Sequence, residues 1–107
     1  MNRTPLDDLT PDFWNKLLGE SFLVSAAGSD PVALKLRQVV PGPGSTAGNH
    51  RVESFSLLFL GSEDRVLPQK IYSFEQEKTG RFDLFIVPVG KRADGVEYEA
   101  VFSRLVR

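Results

Sequence analysis

Glu97 and Glu99, two residues apart in an alternating run, are the arrangement in this chain most suited to chemistry. On a strand, residues two apart point to the same face. Asp83, on a neighbouring run, would bring a third carboxylate. Three such groups could hold a divalent cation through oxygen ligands, or share general-acid and general-base work. The plainer reading is a solvated outer face whose glutamates pair with Lys35, Arg37 or Arg81, an arrangement that adds little stability. Asp83, Glu97 and Glu99 are therefore the candidates for a metal site, and no catalytic or cofactor-binding residue is assigned.

Other reactive residues lack companions. His50, the sole histidine, would need partners to act as a base or metal ligand, but it follows the glycine-rich stretch and stands between Asn49 and Arg51, the place of an exposed loop histidine. Lys91, Arg92, Arg104 and Arg107 could meet phosphate if they gathered at one end, but Asp94 and Glu97 would partly neutralise them. No Gly-x-Ser-x-Gly elbow is present. Gly42-Pro43-Gly44 has a proline where a phosphate loop needs a backbone donor. Trp14, Phe13, Tyr72 and Tyr98 could line a ligand pocket, although aromatics in a small β-domain more often fill its core, as six strands would require.

Composition narrows the function classes. The 107 residues suit one domain, with 13 basic and 14 acidic residues giving a net charge of −1 and no cysteine. The basic surplus of a nucleic-acid binder is missing, and disulfides and thiolate metal sites are both ruled out. No run approaches the roughly 18 apolar residues of a spanning helix. No apolar core of signal-peptide length follows Met1. The expectation is a soluble, cytoplasmic protein with neither nucleic acid nor membrane as partner.

The elements follow from periodicity. Residues 1–9 read as a loosely docked arm, and 10–107 as one β-rich domain. Thr10-Pro11-Asp12 is a helix start: a hydroxyl cap, a proline that loses no hydrogen bond, and an acid at the positive end of the dipole. Phe13, Trp14, Leu17 and Leu18 form an apolar stripe, and Gly19 ends a helix of about two turns. The period then becomes twofold. Phe22, Val24 and Ala26 make one strand; Val32, Leu34 and Leu36 make the next, running to about Val40, with a turn at 27–31 between them. Pro41 to Asn49, including Gly42, Pro43 and Gly44, reads as an exposed, mobile loop. Glu53–Leu60 is the most apolar strand, apolar on both faces from Leu57, with the helix stripe as its expected cover. Strands over 71–75, 82–88 and 96–102 follow, the last pair joined by an Asp94-Gly95 turn. Phe82, Leu84 and Ile86 share one face; Val96, Tyr98, Ala100 and Phe102 point inward.

About six strands with short connections and one helix predict a mainly β fold: a curled antiparallel sheet or small barrel, the short N-terminal helix plugging one end or lying on a face. Phe55-Ser56-Leu57-Leu58-Phe59 with Gly61, Leu67-Pro68-Gln69 with Tyr72, and Gly80 lie in a familiar order. Leu84-Phe85-Ile86-Val87-Pro88-Val89-Gly90 and Gly95 with Tyr98-Glu99-Ala100-Val101-Phe102 continue it. With Leu9-Thr10, Phe13, Gly19 and Phe22, this word order over residues 9–102 resembles a family of small uncharacterised bacterial domains. Where that pattern has a glycine, this chain has Lys70. The resemblance implies one domain and carries no activity.

The expected function is a non-enzymatic interaction or accessory module of a bacterial assembly, with a protein partner ordering the Pro41–Gly44 loop or the acidic arm. Two alternatives stand beside it. One is a small-molecule or metal-binding domain, or an enzyme, using the acidic strand face; the other is a domain that self-associates through an edge strand.

Overall fold

A computed structural model describes residues 10–26, 28–42, 45–47 and 50–106, without the side chains of 45–47, 50–52 and 104–106. The expected arm at 1–9 and the loop residues Pro43, Gly44, Gly48 and Asn49 lie outside the described residues. Helix α1 (Pro11–Asn15) precedes strands β1 (Ser21–Ser25), β2 (Val32–Pro41), β3 (Ser45–Ala47) and β4 (His50–Gly61). Strands β5 (Lys70–Gln76), β6 (Gly80–Arg92) and β7 (Gly95–Val106) complete the chain.

All pairings are antiparallel, and six strands close into a ring in the order β2-β1-β5-β6-β7-β4, with β4 returning to β2. The barrel reading of the sequence is therefore the one realised. It consists of two three-stranded meanders, β1-β2-β4 and β5-β6-β7, joined edge to edge by β1 with β5 and β4 with β7. Ser45–Ala47, expected within a loop, instead form β3, which folds back on the start of β4. Pro41 ends β2 opposite Phe55, and the Gly42 N–H donates to the Ser54 carbonyl at 2.8 Å.

The twofold period predicts the interior well. Phe22, Val24, Leu34, Leu36, Phe55, Leu57, Phe59, Phe74, Phe82, Ile86, Tyr98 and Ala100 are all buried. Their rings pack edge-on or offset, with Phe22 against Phe59 at 5.6 Å and Phe74 against Phe82 at 5.5 Å between centroids. Such contacts add to the area each ring removes from water.

The helix departs from expectation in length and in position. Thr10 caps it by accepting the Phe13 N–H at 3.3 Å, but regular helix ends at Asn15. Turns carry the chain to Gly19, whose φ of +86° lies in the left-handed region that glycine adopts without penalty. There the Gly19 N–H donates to the Leu36 carbonyl, so the chain leaves the helix to join β2. Leu18 is left exposed, and α1 does not cover β4 as predicted. Trp14 instead enters the barrel end and is fully buried against Phe22, Phe82 and Phe102 at 5.7–6.0 Å. One five-residue helix has too little stability alone; this single large side chain anchors it.

The opposite mouth is closed by the connection between β4 and β5. These strands are three places apart in a six-strand ring, so residues 62–69 cross the barrel. Leu67 is buried beneath the crossing; its N–H donates to Tyr98 Oη at 2.8 Å, and Tyr72 Oη donates to the Pro68 carbonyl at 2.7 Å.

Trp14→Ala is expected to cost about 3–5 kcal/mol, the range for truncating a buried large aromatic, read from urea denaturation. Trp14→Phe, which keeps a ring between Phe82 and Phe102, should cost clearly less; equal losses would refute the anchoring role.

Candidate functional site

The three acidic candidates sit on the outer face but do not assemble. Glu97 is held by Arg92, its carboxylate accepting from the guanidinium at 2.7 Å. Asp83 and Glu99 line a separate groove between β6 and β7. Among the described residues, no three histidine or acidic side chains converge as a metal site would require. The predicted pairing partners also differ: Arg37 meets Asp94 at 2.9 Å and Arg81 meets Glu75 at 3.1 Å. The basic residues do not gather either. Lys91 pairs with Glu63 and Arg92 with Glu97 near the Asp94-Gly95 turn. Arg104 is nine residues along β7 from Gly95, about 30 Å away at the rise of a strand. The imidazole of His50 and the side chains of Arg104 and Arg107 are outside the described residues.

The aromatic candidates resolve as core and rim. Trp14 and Tyr98 are buried inside, and Phe13 is half-buried beside Trp14. Tyr72 lines a pocket of about 180 Å³ at the crossed mouth, with Ser25, Asp30, Arg65, Leu67 and Lys70. Lys70 Nζ lies 6.0 Å from the Tyr72 ring centroid, at the outer limit of a cation–π contact.

The groove between β6 and β7 arises from a break in the ladder. From the turn, the register runs Arg92↔Gly95, Lys91↔Val96, Gly90↔Glu97, Pro88↔Tyr98 and Val87↔Glu99, and it stops there. Val89 is the extra residue of a bulge. A bulge bends its strand and increases its twist, and Pro88 brings no N–H to the ladder. Below Val87, among the described residues, β6 continues to Gly80 paired with β5 and β7 continues to Val106 paired with β4. Two strand edges thus face each other without pairing among the described residues.

The resulting groove, of about 420 Å³, is lined by Asp83, Phe85, Val87, Glu99, Val101 and Ser103, with Leu84 and Phe102 at its floor. Phe85 and Val101 are 49% and 67% exposed, an unusual position for large apolar groups on adjoining strands. Behind the floor stands Trp14, between Phe82 of β6 and Phe102 of β7. Its buried Nε1–H has no hydrogen-bond partner among the described residues, and a buried donor left so costs about 1–3 kcal/mol.

Sequence reasoning found Asp83 and Glu99 but missed Phe85, Val87, Val101 and Ser103. The available signal was phase: Phe85 and Val101 fall in the outward register of strands whose inward positions are already apolar. The gap between the strands depends on the Val89 bulge, which alternation does not display.

Fold and groove together define a small six-stranded β-barrel with both ends plugged and with β6 and β7 parted along one seam among the described residues. The chain belongs to the family described as Domain of unknown function (DUF6916), whose model matches residues 9–102. No curated protein and no solved structure matches it.

Burial raises the Tyr72 phenol above its ordinary 10.0, with Tyr98 adding to the rise and Arg65 opposing it. A folded-state pKa above the unfolded value gives stability that is complete below pH 10 and lost as pH rises through the raised value. The stability advantage of the parent over Tyr72→Phe should therefore shrink above pH 10, as measured by denaturant unfolding at stepped pH; a growing advantage would refute this.

Proposed function

We propose that this chain is a non-enzymatic protein-interaction module whose binding surface is the open seam between β6 and β7. The observation that carries the reading is the ladder stopping at Val87↔Glu99 while both strands run on. Unpaired strand edges are templates for another chain, and adding a strand to such an edge is a recurrent mode of peptide recognition. Phe85 and Val101 supply the apolar contact that backbone pairing alone lacks. Glu97 is committed to Arg92, which removes it from an acidic catalytic face. A role as an accessory part of a cytoplasmic bacterial assembly is part of this proposal, supported by the cysteine-free composition and the word order of the strands.

The test is affinity capture with tagged protein and with the Phe85→Lys/Val101→Lys double variant. Both positions are exposed, where substitutions usually change stability by only about 0.5 kcal/mol, and circular dichroism checks the fold. A stoichiometric partner held by the parent and lost by the folded variant is expected. Capture that is indifferent to the two lysines would overturn the assignment of the seam.

A further inference from the structure

We propose that the crossed mouth of the barrel is a pocket for a small aliphatic carboxylate, its acid group between Arg65 and Lys70 and its apolar body on Val24, Ala26 and Leu67. This pocket shares no lining residue with the seam and does not depend on the reading above. It forms where two strands part. Among the described residues the β1–β5 ladder has its last rung at Ser25↔Ser73. The same register would next bring Ala26 opposite Tyr72, but these two line a cavity of about 180 Å³ instead. The crossing supplies the facing wall, and two hydrogen bonds fix it there: Leu67 N–H to Tyr98 Oη, and Tyr72 Oη to the Pro68 carbonyl. The pocket therefore exists before any ligand arrives, which removes an ordering cost from binding.

The charge of the pocket comes from the phase of β5. Phe74 and Tyr72 are buried, and a further step of two places Lys70 in the same inward phase. Lys70 Nζ lies 6.0 Å from the Tyr72 ring. Arg65 approaches the same residue from the crossing, and its charge acts on the Tyr72 phenol. Neither cation has an ion-pair partner among the described residues, and nor does Asp30 on the turn between β1 and β2. With two cations against Asp30, the lining carries a net charge of +1. A guanidinium offers paired donors that match the two oxygens of a carboxylate. Size and polarity narrow the ligand further. The cavity is about six times the roughly 30 Å³ that a water occupies in the liquid, room for a branched acid of about seven heavy atoms but not for a length of peptide. Val24 and Leu67 are buried apolar side chains at its floor, which an inorganic anion would leave uncovered.

The probe is sodium isovalerate, titrated into the intact ¹⁵N-labelled protein at low, constant ionic strength. Saturable shifts are expected at the amides of residues 24–26, 65–67 and 70–72, with a Kd of about 1 mM or tighter. Isovaleramide keeps the apolar body without the charge, and inorganic phosphate keeps a charge without the body. Each should bind at least about tenfold more weakly, as should acetyl-Gly-Val, which carries the carboxylate at the end of a chain. Arg65→Gln and Lys70→Gln should each weaken isovalerate by about tenfold. Both positions are exposed, where substitutions usually leave the fold intact, and the amide spectrum itself checks this. Asp30→Asn should tighten binding, because it removes a like charge from the lining.

No saturable shift at ten millimolar isovalerate, about ten times the expected Kd, would overturn the proposal. So would binding indifferent to both glutamine variants, or equal binding of isovaleramide or phosphate. Tighter binding of acetyl-Gly-Val would replace the free acid by a chain terminus, and weaker binding by Asp30→Asn would replace the simple anion by a ligand that also carries a positive charge; either result refutes the assignment made here.

Discussion

A sheet of six strands closes into a ring only if each strand is paired on both sides, and in this barrel one junction gives out halfway. Among the described residues the β6–β7 ladder ends at Val87↔Glu99, so beyond that rung these two strands do not seal the interior by pairing with each other. Trp14 takes that part. Its indole fills the space between Phe82 and Phe102, and Phe102 in turn stacks on Phe55 at 4.9 Å. The helix is thus a device for delivering one side chain. Thr10 starts it, five residues turn it, and Gly19 releases the chain into the sheet. The cost of the arrangement is an indole N–H left without a partner among the described residues, which the aromatic packing around it must offset.

The remainder of the barrel is organised around the crossing from β4 to β5. Two meanders of local hairpins would each expose a sheet face; joining them requires one connection across the mouth, and burying that connection requires acceptors for its backbone. Tyr98, from the second meander, receives the Leu67 N–H, and Tyr72 donates to the next carbonyl. Gly61 precedes the crossing because a Cβ there would lie 2.5 Å from Leu34 Cδ2 and 3.2 Å from the Tyr98 ring. The two ends are therefore plugged by different means: an aromatic wedge at one, a hydrogen-bonded strap at the other.

What the sequence displayed was the phase of each strand. Phe22/Val24, Leu34/Leu36, Phe82/Leu84/Ile86 and Val96/Tyr98/Ala100 all point inward as alternation predicts, and the Asp94-Gly95 turn joins the last pair. Phase does not specify which edges meet. The closures of β1 on β5 and β4 on β7 link residues from 35 (Gly61↔Val96) to 55 (Arg51↔Val106) apart, with no local signature. Nor does phase locate bulges. Val89 in β6 and Arg37 in β2 each add one residue to a strand whose alternation looks regular. The expectation that the helix covers β4 failed for a related reason: Leu58 and Leu60 suggested a face needing cover, whereas they remain half-buried on the barrel exterior. Asp83 and Glu99 were legible as an acidic face, but their separation from Glu97 depends on Arg92 reaching back across the turn.

The acidic residues have a second physical consequence once the seam is considered as an edge. Natural sheets protect exposed strands with charge, because an apolar edge pairs with any passing strand. Here the two most exposed apolar side chains of the groove, Phe85 and Val101, lie between levels that carry Glu99 and Asp83. Acidic side chains at those levels disfavour the approach of an acidic segment or of a second copy of the seam. A seam guarded in this way can stay open without making the chain sticky. A barrel that sealed β6 to β7 along their whole length would gain ladder hydrogen bonds there, but it would offer no edge at which to receive another strand.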